Sequence, residues 1–419
     1  MRKTHKIEHP LSFNEIEVLS NKFEQLVFLN SNSNDNTSLL AVGAKAIFSP
    51  KENEVFDGLK QFVDEYQDWV FGYLSYDLKN EVEPSLSSNN PDQLDFPTAH
   101  FFVPQFVLEI SAEETILHFD KEEEKDQFLS FLEEKQPKKE LNQQKVTFTQ
   151  KMSKDNYEQR FDAIKEHIQL GDIYEMNFCH EFYAKNVEIN PFETYVKLNE
   201  LTNAPFSTFF KNGEQFILSA SPERYIKKEG KKLTTQPIKG TAKRGKTYEE
   251  DEAIRQELSL NEKERSENIM IVDLVRNDLS KTAKKGSVNV EELCKVYTFE
   301  TVHQMISTVT SEVKEDVHTV EVLRTTFPMG SMTGAPKVEA MKIIEELETT
   351  KRGVYSGSVG YFTPEGDFDF NVIIRTLLYN ETSKYLSFMV GGAITDKATA
   401  EDEYEETLLK AEAMIRSLK

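Results

Sequence analysis

The chain has 419 residues, 38% hydrophobic and 29% charged, with a formal net charge of -22. That composition excludes a disordered or fibrous chain, and the length allows two or three domains at roughly 150 residues each. The acidic balance argues against nucleic acid or an anionic membrane as the main partner, and an anionic ligand needs local Arg and Lys to overcome the overall field. The start, Met1 to Lys6, is basic but runs into Ile7-Glu8-His9-Pro10 without an apolar stretch. No signal peptide or spanning helix is expected. Cys179 and Cys294 fit neither a disulfide framework nor metal-ligand spacing, so reduced thiols and a cytoplasmic setting are expected.

In chain order, strand-like runs at Trp69–Leu74 and Phe101–Val103 alternate with polar loops, and Glu81–Gln93 reads as an exposed excursion. Glu133–Lys145 has almost nothing to bury and predicts a linker, separating an N-terminal region, 1–140, from a catalytic part, 146–419. Behind Ser153 and before Gly171, the residues Tyr157, Phe161, Ile164 and Ile168 have the spacing of an amphipathic helix. Strands are predicted at Thr208–Phe210, Gln215–Ser219, Val354–Tyr361, Phe370–Leu378 and Tyr385–Val390. Long helices are predicted at Asn261–Leu279, Ala335–Leu347 and Thr399–Leu418. Strands and helices that do not alternate strictly define an α+β class.

Pro237-Ile238-Lys239-Gly240-Thr241 fixes an amine in a stiff turn, proline setting φ and glycine allowing close approach. Partly desolvated, such a lysine can lose its proton and attack an electrophile; a solvated hairpin lysine is the alternative. Glu264 and Glu267 share a helix face with Ile271 and Leu274, while Glu403 and Glu406 repeat the spacing with Lys410 one turn on. Two such pairs brought together would make a hard-oxygen site for Mg²⁺; separately, each is a solvated helix face. Gly330 to Lys337 lacks the glycine spacing and the Ser/Thr of a phosphate loop, which excludes nucleotide binding there. Arg375 stands in an apolar run where a guanidinium needs an anion, either a ligand or a salt-bridge partner. His303 by itself reads as a packed core histidine.

Together these segments resemble the chorismate-utilising enzymes over essentially Val146 to Lys419, in order and with the family's spacing. The resemblance rests on Ser221-Pro222-Glu223-Arg224, Pro237 to Thr241, the run Glu267 to Asp278, Gly330 to Lys337, and the helix bearing Glu403, Glu406 and Lys410. Upstream, Gly72 to Asp77 also looks like the family's N-terminal region. The resemblance implies large, mostly antiparallel β-sheets packed as a sandwich core with helices outside, chorismate as substrate and Mg²⁺ as cofactor. Lys239 would attack C2 of chorismate as the C4 hydroxyl leaves, and ammonia would then displace it at C4, giving 4-amino-4-deoxychorismate for para-aminobenzoate and folate synthesis. Members that make anthranilate usually have alanine at this position and are the alternative. Members that add water use a lysine near Ile173–Met176, where this chain has Glu175 and close relatives usually have glutamine.

The same comparison implies roles for the other residues. Glu223 would be the general acid, and Glu264, Glu267, Glu403 and Glu406 would hold Mg²⁺. Arg375 and Tyr355 would grip the enolpyruvyl carboxylate, and Lys410 with Gly391-Gly392 the ring carboxylate. Thr241 and Thr333 would also contact the substrate. His303 matches a histidine implicated in pyruvate elimination and would orient the substrate. Ala393 replaces a common third glycine. Neither cysteine lies in a nucleophile elbow, so a separate glutamine amidotransferase is the expected source of ammonia. Phe28–Asn32 lacks the signature associated with tryptophan feedback, which is not expected. A chorismate sensor without turnover is the remaining reading, and the retention of Lys239, Glu223 and both acid pairs speaks against it.

Overall fold

The computed structural model describes residues 2–32, 37–50, 54–134, 146–300 and 302–419. The predicted linker falls, from residue 135 on, outside them. The fold is α+β, with a large antiparallel sheet and eleven α-helices among the described residues.

The sheet has two wings. In one, the strands Ala99–Ile110, Ser38–Phe48, Gln25–Asn30, Phe206–Asn212, Gln215–Ser221, Thr376–Asn380, Tyr385–Thr395 and Glu175–Lys185 pair in that spatial order. In the other, the start of Ala99–Ile110 pairs with Val70–Leu74, followed by Ser358–Phe362, Phe368–Val372, Arg224–Glu229, Lys232–Thr235 and Val302–Glu312. The wings share the long first strand. A register shift between Ala44 and Ala46 bends the Ser38–Phe48 strand beside it, the local kink expected of a bulge.

Alternation along the strands then sorts the side chains. Val27, Phe210 and Ile217 turn inward to a core shared with Val309, Val359 and Phe370 of the other wing. Their neighbours Leu26, Phe28, Phe209, Phe216 and Leu218 turn outward to a second core. The helix Ala400–Arg416 helps cover that face through Ala411 and Met414. The helices Lys154–Leu170 and Lys337–Leu347 close the Glu175 end through Tyr157, Phe161, Ile343 and Ile344.

Three predicted helices form with the caps that the sequence offers, whereas Ala335–Leu347 starts only at Lys337, behind Pro336 without a side-chain cap, because Ala335 pairs as a strand with Glu175. Ser153 accepts from the Asn156 N–H and Gly171 ends the first helix at φ 84°, Asn261 caps Glu262–Ser280, and Thr399 caps Ala400–Arg416. Two predicted strands differ. Phe370–Leu378 is broken into Phe368–Val372 and Thr376–Asn380, because Arg375 takes a left-handed φ of 51° between them. Val354–Tyr361 begins as a strand only at Ser358, since Val354–Gly357 is a turn closed by a Gly357 N–H to Val354 O bond of 3.0 Å. The excursion at Glu81–Gln93 starts in the short helix Lys79–Val82 and from there on is a tethered loop, its Asn89 and Asn90 N–H groups donating to Glu345. No helix among the described residues is long and apolar enough to cross a membrane.

Candidate active site

One cavity of about 920 Å³ opens between the wings, under the helices Glu262–Ser280 and Ala400–Arg416. It takes in every predicted site residue except His303 and Thr333: Glu223, Lys239, Thr241, Tyr355, Arg375, Gly391, Gly392, Lys410 and all four paired glutamates line it. The acid pairs therefore meet, and the reading of each as an isolated solvated face is set aside.

Lys239 reaches the cavity because the Ile238–Lys243 strand bulges against Val302–Glu312 between Ile238 and Thr241, with Gly240 at φ 85°. Only 11% of its side chain is exposed, and its Nζ donates to Glu175 Oε1 at 2.7 Å. The protonation expected from the sequence is corrected here. Burial favours the neutral amine, but the surrounding Glu175, Glu267 and Glu223 outweigh it and hold the lysine above its ordinary range, so the resting group is an ammonium.

Glu223 shows the opposite balance. It is buried in the turn before Arg224, and desolvation lifts its carboxyl to about 7 against the pull of Ser331, Lys239 and Arg375. Arg224 anchors that turn through two bonds to Asp369, at 3.0 and 3.1 Å. Arg375 makes no ion pair of its own among the described residues; Glu223 and Glu406 act on it only through space, while burial lowers its affinity for the proton. A guanidinium held that way suits an incoming carboxylate. Tyr355 lies in the Val354–Gly357 turn, its hydroxyl 3.8 Å from Cys179 Sγ.

The four glutamates suit a hard divalent cation in chemistry. Burial, with Glu175 and Glu264 as like charges, pushes Glu267 up to about 8 despite Lys239, and its Oε1 is buried without a hydrogen-bond partner. Desolvation also raises Glu264 and Glu403. Glu406 is desolvated too, yet Lys410 at 2.7 Å brings it below the ordinary range. Lys263 occupies Glu403 Oε1 at 2.9 Å, and Lys410 also donates to the Gly391 carbonyl at 2.8 Å. Among the described residues no three acids or histidines gather as a ready-made ligand cluster. The donors are therefore carboxylates of the right kind, under-neutralised, with lysines on two of them. Gly392 permits this crowding, since a Cβ there would lie 2.7 Å from Glu403 Oε2.

Two predicted residues lie elsewhere. Val302 and Gln304 face the cavity, so strand alternation turns His303 away, where its ring contacts Asp251 at 2.9 Å and Thr298 at 3.0 Å. A catalytic or substrate-orienting role for His303 has no geometric basis. Thr333 is fully buried and donates to the Met329 and Gly330 carbonyls, leaving Ser331 and Met332 at the wall. Lys337 likewise turns away, to Asp278 and the Pro328 carbonyl.

Sequence reasoning missed the support beneath the cavity. Arg352 and Glu348 form a buried pair with bonds of 2.9 and 2.6 Å, and Arg352 also holds the carbonyls of Met332 and Asn177 at 2.6 and 2.8 Å. Their four-residue spacing was the available signal, but it is equally that of a surface pair.

A cavity this size, with a guanidinium on its wall that has no ion pair among the described residues and a carboxyl whose proton affinity burial raises near a buried ammonium, defines an enzyme site for a small anionic substrate. Residues 24–416 match the family model of chorismate binding enzymes, and the chain belongs to that family. It is 34% identical over 421 residues to the chloroplastic aminodeoxychorismate synthase of Arabidopsis thaliana, covering 95% of this chain and 46% of that protein. It is 33% identical over 368 residues to aminodeoxychorismate synthase component 1 of Bacillus subtilis, covering 84% of this chain and 77% of that one. Among solved structures, anthranilate synthase component I from Streptococcus pneumoniae superposes with a TM-score of 0.82 at 28% identity, covering 91% of this chain and 92% of that one.

Proposed function

We propose that the chain aminates chorismate at C4, giving 4-amino-4-deoxychorismate for para-aminobenzoate and folate synthesis, with ammonia supplied by a separate glutamine amidotransferase in the cytoplasm. The observation that supports this choice over anthranilate synthesis is Lys239, a nearly buried amine in the wall of the shared cavity. The names carried by the Arabidopsis and Bacillus relatives agree with it.

In this reading the neutral Lys239 nitrogen bonds to C2, the two ring double bonds shift, and the C4–O bond breaks. Glu223 hands its proton to the departing hydroxyl, which leaves as water. Ammonia then bonds to C4, the double bonds shift back, and the C2–N bond returns its pair to Lys239. Arg375 and Tyr355 orient the enolpyruvyl carboxylate, and Lys410 with the Gly391-Gly392 backbone receives the ring carboxylate. Thr241 lies at the same wall. Mg²⁺, held by Glu264, Glu267, Glu403 and Glu406, would supply positive charge to anchor the ring carboxylate.

The test is product identity. Purified protein given chorismate, Mg²⁺ and ammonium should yield a product that an added lyase converts to para-aminobenzoate; anthranilate and free pyruvate without lyase would reject the reading. A pH dependence follows from Glu223. A donor that titrates at about 7 is lost as pH rises through that value, so the rate should fall on the alkaline side. Glu223→Gln should cost about 10²-fold in kcat and erase that limb. A variant with the wild-type profile would remove Glu223 from the mechanism.

A further inference from the structure

We propose that Glu175 is a catalytic residue of this chain, the internal base that takes the proton of Lys239 and so frees the nucleophile. The inference rests on the reading of Lys239 above. Glu175 Oε1 lies 2.7 Å from Lys239 Nζ, the atom that reacts. The side chain is 1% exposed, and Oε2 is buried with no hydrogen-bond partner. An orphaned buried acceptor is costly, and a proton-accepting role gives the unsatisfied carboxylate a use that offsets that cost.

The placement is rigid as well. Glu175 is paired on one side with Thr395 and on the other with Ala335. Gly334 lets that second strand close in, since a Cβ there would lie 2.2 Å from the Glu175 carbonyl oxygen. The glycine-rich turn at Gly330–Lys337 thus holds a base in place.

The step balances without a co-reactant. One Nζ–H bond of the ammonium breaks as its proton passes to Oε1, and the freed nitrogen pair forms the bond to C2. When ammonia has attacked C4 and the C2–N bond has broken, the proton returns from Glu175 to Lys239. The other charged groups facing Lys239 are Glu267 and Glu264 from the Glu262–Ser280 helix, Glu223 from its turn, and Glu406 from the Ala400–Arg416 helix. None has a hydrogen bond to Nζ among the described residues.

Glu175→Gln keeps the shape and removes the base. The expected result is a kcat about 10²-fold lower, KM nearly unchanged, and a rate that climbs with pH below about 7, where Glu223 still holds its proton, because Lys239 must now lose its own to bulk water. A kcat within twofold of wild type at every pH would overturn the proposal. Lys239→Ala is run beside it: retained para-amination there would reject the nucleophile itself, whereas an inactive Lys239→Ala with a normal Glu175→Gln rejects only the base. A second measurement needs no variant. Without ammonia, the chorismate adduct on wild-type Lys239, followed by intact mass, should form at a steady rate between about pH 5.5 and 6.5. A tenfold rise over that unit would mean transfer to solvent and would equally overturn the proposal.

Discussion

Lys239→Ala is expected to lower formation of 4-amino-4-deoxychorismate by about 10³-fold or more, because no other nucleophile replaces it. Two lysines of the cavity wall are already engaged, Lys263 by Glu403 and Lys410 by Glu406 and the Gly391 carbonyl, and Lys243 is an exposed side chain four residues along the strand. Alanine also strands Glu175 in a site where only 1% of it meets solvent. Part of the loss could then come from local disorder, so the control is the double variant Lys239→Ala/Glu175→Gln, which removes the stranded charge. The double variant should unfold at a higher denaturant concentration than the single one and be equally inactive. Either variant retaining more than a tenth of the wild-type para-amination would refute covalent catalysis by Lys239.

Arg352→Met is expected to destabilise the protein by about 3–5 kcal/mol, which is the cost of leaving one partner of a buried pair without its counter-charge. Arg352 and Glu348 side chains are 1% and 2% exposed, so water cannot replace the lost partner. Two carbonyls are also released, those of Met332 and Asn177, and both residues stand in the cavity wall. Replacing Glu348 by leucine together with Arg352→Met should recover much of the stability, since a well-packed apolar pair avoids the desolvation penalty. Chemical unfolding monitored by fluorescence decides this. A single variant that loses less than about 1 kcal/mol would show the pair to be dispensable.

Local regularity made much of the fold legible in advance. The Lys154–Leu170 helix follows from Tyr157, Phe161 and Ile164 at helical spacing between a serine cap and a glycine stop. Glu267 could be placed on a buried stripe because Ile271 follows it one turn later on the same face. Features set by distant partners were hidden. The break at Arg375 falls within a mostly apolar stretch, 370–378, and nothing local announces a left-handed residue there. His303 faces away from the cavity because of the register it adopts against Ala242 and Thr298, which its own sequence neighbours do not specify. The protonation of Lys239 depends on Glu175, 64 residues away, and a turn motif read alone suggested the opposite state.

The sheet also has a consequence for how this chain can be divided. Gln25–Asn30 and Val70–Leu74 are paired with Phe206–Asn212 and Ser358–Phe362, which lie beyond the predicted linker. A fragment beginning at residue 146 would present two bare strand edges, open to pairing with other copies. Expressed alone it should aggregate. Chimeras that exchange the first third between relatives must match hydrogen-bond registers at both seams, and those two seams, more than the chemistry of the cavity, restrict recombination within the chain.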